Sequence, residues 1–185
     1  MPASPTSLND EIAMIIRHAT IEDCPAIRDL YNHEVLTGTG TFDIETRSLP
    51  EQQAWLLERS SAYVVLVALD TDDEGDTEAD GEFLGFAALS AYKDRAAYKT
   101  TVENSVYVHP DHRGRGVGKA LLSGVVEHAS RHGFHNVIAR IGGGNDNPGS
   151  VATHRSAGFE LVGVEREVGR KFGRWVDVVT MQRLL

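Results

Sequence analysis

The chain has 185 residues, 41% of them hydrophobic, a net charge of -9 and one cysteine, Cys24. These values fit one domain with an apolar core, exclude an intrachain disulfide and a cysteine-built metal cluster, and argue against general affinity for nucleic acid. No run of about 18 apolar residues marks a membrane span and no cleavable leader is visible, so a cytoplasmic protein without a membrane partner is expected.

Residues 1–13 hold Pro2, Pro5, small polar residues and an acidic pair, the composition of a loosely ordered tail ahead of one domain over 14–185. Residues 15–19 read as a first strand. Thr20 with Asp23 three positions later is a capping signal for a helix through about Glu34, and Ser48 with Glu51 repeats it for a helix to about Arg59. Residues 63–69 are β-branched and apolar, a buried strand that opens a hairpin with residues 83–89. The connection between them, 70–82, carries eight acids and no base, the pattern of a self-repelling, solvated loop.

Residues 100–108 form a strand that enters the most informative segment, Val106-Tyr107-Val108-His109-Pro110 followed by Asp111 to Lys119. Here Gly114, Gly116 and Gly118 alternate among Arg113, Arg115 and Lys119 just before a helix of about 116–132 closed by Gly133. Glycines at a strand-to-helix turn let backbone N–H groups approach an anion at the positive end of the helix dipole. A P-loop would need glycine where Arg113 stands and Ser or Thr where Ala120 stands, and a dinucleotide fingerprint would need glycine at Lys119. Beyond the loop lie a strand over 136–141, a Gly-Asn-Pro connection, a short helix ending near Ala157-Gly158-Phe159, and two β segments separated near Phe172-Gly173. The class is mixed α/β (α+β), a central, mostly antiparallel sheet flanked by helices.

The Arg-Gly-x-Gly-x-Gly loop resembles that of the GCN5-related N-acetyltransferase (GNAT) superfamily. That resemblance implies a sheet splayed at a site for acetyl-coenzyme A (acetyl-CoA), with Val106, Tyr107, Val108, Arg113, Gly114, Arg115, Gly116, Val117, Gly118 and Lys119 against the coenzyme. Thr41-Phe42-Asp43, Tyr98 through Glu103, Ser105-Val106-Tyr107-Val108, His154 with Gly158-Phe159, and 168–178 look like the phosphinothricin and methionine sulfoximine N-acetyltransferases. The match covers roughly 14–183 and implies a small amino-acid analogue as substrate and a homodimer. The Gly142-Gly143-Gly144-Asn145-Asp146-Asn147-Pro148-Gly149 connection is longer than the family pattern. Counting from the strand makes Asn145 the coenzyme-contacting asparagine, and counting back from His154 makes it Asn147.

Acetyl transfer needs a neutral amine, and therefore a base. Glu103 is the candidate, because it lies in an otherwise apolar or small-residue strand beside the coenzyme loop, where desolvation raises a carboxyl pKa. A surface carboxylate is the plainer reading of the same residue. His154 follows Ser150 by one helical turn, which puts both on one face toward the coenzyme. It is a candidate acid for the departing thiolate, a proton relay, or a structural histidine. The resemblance assigns substrate contacts to Phe42, Arg95, Tyr98, Glu103, Lys171 and Trp175, with Arg95 as guanidinium partner of an amino-acid carboxylate and Arg47 or Arg174 as substitutes. The histidines show no metal-binding spacing, and no metal is expected. Cys24 is read as packing. The competing functions are acetylation of an aminoglycoside, a protein N terminus or lysine, and a catalytically silent coenzyme A sensor.

Overall fold

The structure is a computed structural model that describes residues 13–71 and 81–185, with the Asn145 side chain also left aside. The expected tail and most of the acidic connection lie outside the described residues. Among the described residues seven strands form one sheet in the order β1-β2-β3-β4-β5-β7-β6: β1 Met14–His18, β2 Val65–Asp70, β3 Phe83–Ala91, β4 Thr101–Val108, β5 Asn136–Gly142, β6 Glu160–Lys171 and β7 Arg174–Leu184. Every neighbouring pair is antiparallel except β4 and β5, which run parallel.

Alternation along the strands sorts the core into two layers. Val65, Val67, Phe86 and Ala88 pack with Ile27, Leu30, Tyr31 and Val35 of α1 (Cys24–Thr37). Leu66, Ala68, Ala87 and Leu89 face the other way, onto Leu121, Leu122, Val125 and Ala129 of α3 (Val117–Arg131). Between these helices in sequence is α2 (Leu49–Leu57), and α4 (Pro148–Ser156) follows β5.

The local capping signals act at the predicted places, with shifted boundaries. Ser48 and Glu51 form the reciprocal box, Ser48 N–H donating to Glu51 Oε2 at 2.7 Å and Glu51 N–H to Ser48 Oγ at 3.4 Å. Asp23 accepts from Thr20 N–H at 2.7 Å, but this pair opens a 3-10 turn over Ile21–Asp23, and α1 starts only at Cys24 and continues to Thr37. Pro25 explains the offset, since it suits a first helical turn and removes a donor there. Cys24 is fully buried, its thiol against the Gln52 carbonyl.

A β-bulge between β2 and β3 sets the position of the strand that matters most. The register shifts by one residue opposite Ala68 and Leu69, which turns Leu84 onto the α3 layer. Gly85 then lies so close to β4 that a Cβ would stand 2.4 Å from the Tyr107 carbonyl oxygen and 3.1 Å from Val108 Cα. Both are backbone atoms and cannot rotate away. Gly85→Ala is expected to cost about 2 kcal/mol and to lower Tm by roughly 4–8 °C in scanning calorimetry. An unchanged Tm would mean that β3 and β4 separate without penalty.

Candidate active site

The parallel ladder between β4 and β5 is short. Thr101 to Asn104 pair with Asn136 to Ala139, after which the two strands part. Ser105–Val108 and Arg140–Gly142 become opposite walls of a cleft of about 1010 Å³, a size suited to a large ligand. The ladder to β3 shows which backbone groups the parting exposes. His109 N–H bonds Leu84 carbonyl at 2.9 Å, and the pairs run back from there through Tyr107 and Phe86. Antiparallel strands alternate bonded and non-bonded pairs, so the N–H groups of Val106 and Val108 point away from β3, toward the side that β5 has left.

The glycine loop closes one end of this cleft. Gly114 and Gly116 have φ of 78° and 85°, the left-handed region that glycine enters without strain, and among the described residues, chain neighbours aside, no atom lies within 4 Å of a Cβ built on either. The first bond closing α3 joins Ala120 N–H to Gly116 carbonyl, so the N–H groups of Val117, Gly118 and Lys119 have no intrahelical acceptor. Arg113, Gly114, Gly116, Val117, Gly118 and Lys119 line the cleft. Free N–H groups, the helix dipole and two cations fit a pyrophosphate, and the exposed β4 edge fits an extended amide chain leading away from it. Arg115 lies off the cleft: its guanidinium bonds His112 Nδ1 at 3.1 Å and faces Asp70 at 3.8 Å.

Glu103 and His154 both line the cleft, on opposite faces of β4. Glu103 shares its face with Tyr107, which belongs to the α1 layer. Burial pushes its carboxyl pKa up, while Arg140 pulls it down and Glu165 adds to the rise. Asn104 points to the other face, where its Nδ2 bonds His154 Nε2 at 3.0 Å. His154 Nδ1 bonds the Ser150 carbonyl at 2.8 Å, which requires a proton on Nδ1 and leaves Nε2 to accept from Asn104. His154 is 4% exposed, and burial lowers its pKa. Its imidazole is therefore expected to stay neutral down through pH 6.5. Ring-nitrogen NMR checks this, and a titration at or above that value would contradict the pairing. The sign extends to stability: the unfolded chain takes up this proton first, so the contribution of His154 is present above the unfolded pKa and is lost as pH falls below it.

Two polar residues escaped the sequence reading. Asn104 is 5% exposed and its Oδ1 has no hydrogen-bond partner among the described residues. Arg140, an isolated cation in apolar β5, lines the cleft. Arg140 is the one charged residue of β5, and Asn104 stands between Glu103 and Ser105 in β4, where the carboxylate is the more conspicuous group.

The remaining candidates separate. Phe42 lines the cleft from the α1–α2 connection, its ring so close to Gly169 of β6 that a Cβ there would stand 2.2 Å from Cε2. Lys171 is buried and outside the cleft, its ammonium donating to the Thr41 carbonyl at 2.9 Å, so it ties the β6–β7 hairpin to the Phe42 connection. Burial lowers its pKa, while Glu34 and Asp43 oppose the shift. Trp175 is 62% exposed and lies outside the cleft, beside Arg170. Arg95 and Tyr98 are exposed around a 3-10 turn ahead of β4 and do not line the cleft. Ser150 and Asn147 do, and Asn147 Nδ2 reaches the Gly142 carbonyl at 3.5 Å. Among the described residues no group of three or more His, Cys, Asp or Glu is placed to hold a metal ion, and no helix is long and apolar enough to cross a membrane.

This geometry agrees with the relatives of the sequence. The acetyltransferase (GNAT) family model matches residues 26–159. The L-methionine sulfoximine/L-methionine sulfone acetyltransferase of Pseudomonas aeruginosa is 39% identical over 168 residues, 90% of this chain and 92% of that protein. The phosphinothricin N-acetyltransferase of Alcaligenes faecalis is 36% identical over 193 residues, covering 100% of this chain and 90% of its own. Among solved structures, a GNAT superfamily phosphinothricin acetyltransferase from Sinorhizobium meliloti in complex with acetyl-CoA superimposes with a TM-score of 0.84 at 38% identity, over 94% of this chain and 89% of that one.

Proposed function

The chain belongs to the GNAT family of acetyltransferases, and from that premise we propose that it moves the acetyl group of acetyl-CoA directly onto the α-amine of a small amino-acid analogue. The observation that carries the proposal is the parting of β4 from β5, with an anion-binding helix terminus at one end and a desolvated carboxylate beside the gap. The relatives named for methionine sulfoximine, methionine sulfone and phosphinothricin supply the acceptor class.

The donor enters along the face of α3 and α4. Gly114, Gly116, Val117, Gly118 and Lys119 hold its pyrophosphate, and Arg113 adds charge. The N–H groups of Val106 and Val108 bind its amide chain, and one of them polarises the thioester carbonyl. Of the two candidate asparagines we assign the coenzyme contact to Asn147. The acceptor enters on the opposite face, between Phe42 and Glu103. There Glu103 removes a proton from the ammonium, directly or through water, so that the neutral amine can attack. The nitrogen–carbon bond forms as the carbon–sulfur bond breaks, and the second proton lost by the nitrogen passes through water to the departing thiolate. His154, neutral and bonded at both nitrogens, positions Asn104 and the donor face in this scheme.

The protein acts in the cytoplasm as a homodimer on this reading. Leu161, Val162, Val164, Val168, Phe172 and Trp175 are large apolar side chains exposed along the β6–β7 hairpin, a face that a second copy would cover. A free-thiol release assay with acetyl-CoA tests the function across methionine sulfoximine, methionine sulfone, phosphinothricin, ordinary amino acids, aminoglycosides and peptides. Turnover of the first three is expected. Activity on aminoglycosides or peptides alone would defeat the acceptor class while leaving acetyl transfer intact.

A further inference from the structure

Strand β5 turns one ionisable side chain into the acceptor half of the cleft. Val137, Ala139 and Ile141 pack into the core under α3, so Ile138 and Arg140 stand on the opposite face, the face of Glu103. Glu103 is paired with Ile138 across the parallel ladder, and Arg140 follows one step along the same row where the strands part. Its Nη2 donates to Glu165 Oε2 at 2.8 Å, and the two side chains are 39% and 44% exposed. Glu165 Oε1 also accepts from Thr180 Oγ1 at 3.2 Å. Among the described residues Arg140 makes no other side-chain hydrogen bond, which leaves most of its fork of N–H donors for a further acceptor.

We propose that Arg140 binds the carboxylate of the amino-acid acceptor, with Glu165 as its counter-ion in the empty site. The proposal rests on the acetyl transfer to an amino-acid α-amine argued above. An α-amino acid carries its ammonium and carboxylate on one carbon, so a site for it needs an anion and a cation side by side. Glu103 and Arg140 provide that pair, and burial of the acceptor strengthens a charge-assisted, bidentate guanidinium contact. Arg113 lines the glycine-loop end of the cleft, and the three arginines that the resemblance offered are placed elsewhere. Arg95 is exposed outside the cleft, Arg47 pairs with Asp43 at 3.3 Å, and Arg174 pairs with Asp146 at 3.0 Å. The same guanidinium repels a polycationic acceptor, which separates amino acids from aminoglycosides on electrostatic grounds.

Kinetics on L-methionine sulfone and its α-carboxamide test the assignment. The wild-type enzyme is expected to lose about 10- to 100-fold in kcat/KM on the carboxamide, the range of a lost charge-assisted pair. In Arg140→Gln the two compounds are expected to differ by less than about threefold, Arg140→Lys should recover part of the difference, and Arg95→Gln should keep all of it. Arg140→Gln also removes the cation that draws the Glu103 pKa down, so the acid limb of its pH profile should move to higher pH. The other ionisable group acting on that carboxylate is Glu165, and His33 and Glu34 of α1 also line the cleft. Acetyl-CoA affinity measured by calorimetry reports whether each variant is folded. Full discrimination retained in a folded Arg140→Gln would overturn the role of Arg140 and leave acetyl transfer untouched. A wild-type enzyme that acetylates other amines but no free amino acid would overturn the acceptor class, and this assignment with it.

Discussion

Glu103→Gln is expected to lower kcat by about 100-fold, the usual worth of general-base assistance, with acetyl-CoA affinity nearly unchanged because the side chain faces away from the donor. Gln keeps the size and polarity of the carboxylate but cannot take up a proton. Burial raises the Glu103 pKa above its ordinary value of 4.5, so the wild-type acid limb should lie above that pH. Activity appears as Glu103 ionises and is lost as pH falls through its raised pKa. The variant should lack this limb. Its Tm should be equal or higher, since a desolvated carboxylate opposes folding at neutral pH and its replacement by a neutral amide removes that penalty. A folded variant with undiminished turnover from about pH 5 to 9 would remove Glu103 from the chemistry.

Gly116→Val is expected to weaken acetyl-CoA binding by about 2 kcal/mol, or roughly 30-fold, through hydrogen bonds that no longer converge. Two effects act together. Gly116 is the N-cap of α3 at φ 85°, where a β-branched residue is strained. Its Cβ would also project into the open space before the helix terminus, where the anion must approach. Because no atom of the described residues beyond its chain neighbours lies within 4 Å of that Cβ, the change should spare the core, and calorimetry against acetyl-CoA with a parallel thermal melt separates the two. Unchanged affinity in the folded variant would remove this loop from the pyrophosphate site.

Much of the donor half was legible because its chemistry is local. A left-handed glycine, a helix terminus and a flanking cation are fixed by residues within one turn of each other, so Arg113 to Lys119 could be read without knowing the fold. The same holds for the Ser48 and Glu51 box, for Gly133, whose φ is 76°, and for the Phe172-Gly173 turn, where both residues have positive φ and the hairpin closes tightly. Even here Arg115 escaped. Its place in the motif says nothing of His112 and Asp70, which hold its guanidinium off the cleft.

The acceptor half was less legible because it is assembled from strands far apart in the chain. The motif around Glu103 and His154 identified two cleft residues, yet their opposite faces follow from which helices cover each side of β4. Nothing in the sequence around Lys171 tells that it is buried against Thr41, or that Trp175 a few residues on stays exposed. The resemblance made Arg95 the carboxylate ligand, with Arg47 or Arg174 as substitutes, and Arg140 was not among the candidates. Sheet order brings Arg140 to the gap, since β5 lies directly beside β4, whereas the turn holding Arg95 precedes β4 and stands outside the cleft. The sequence by itself determined the glycine-rich turn into α3, the caps and the strands, all of which depend on short-range backbone geometry. Only the tertiary structure decided which charged side chains share the cleft, because strand pairing and sheet faces are long-range choices made by the packing of the whole core.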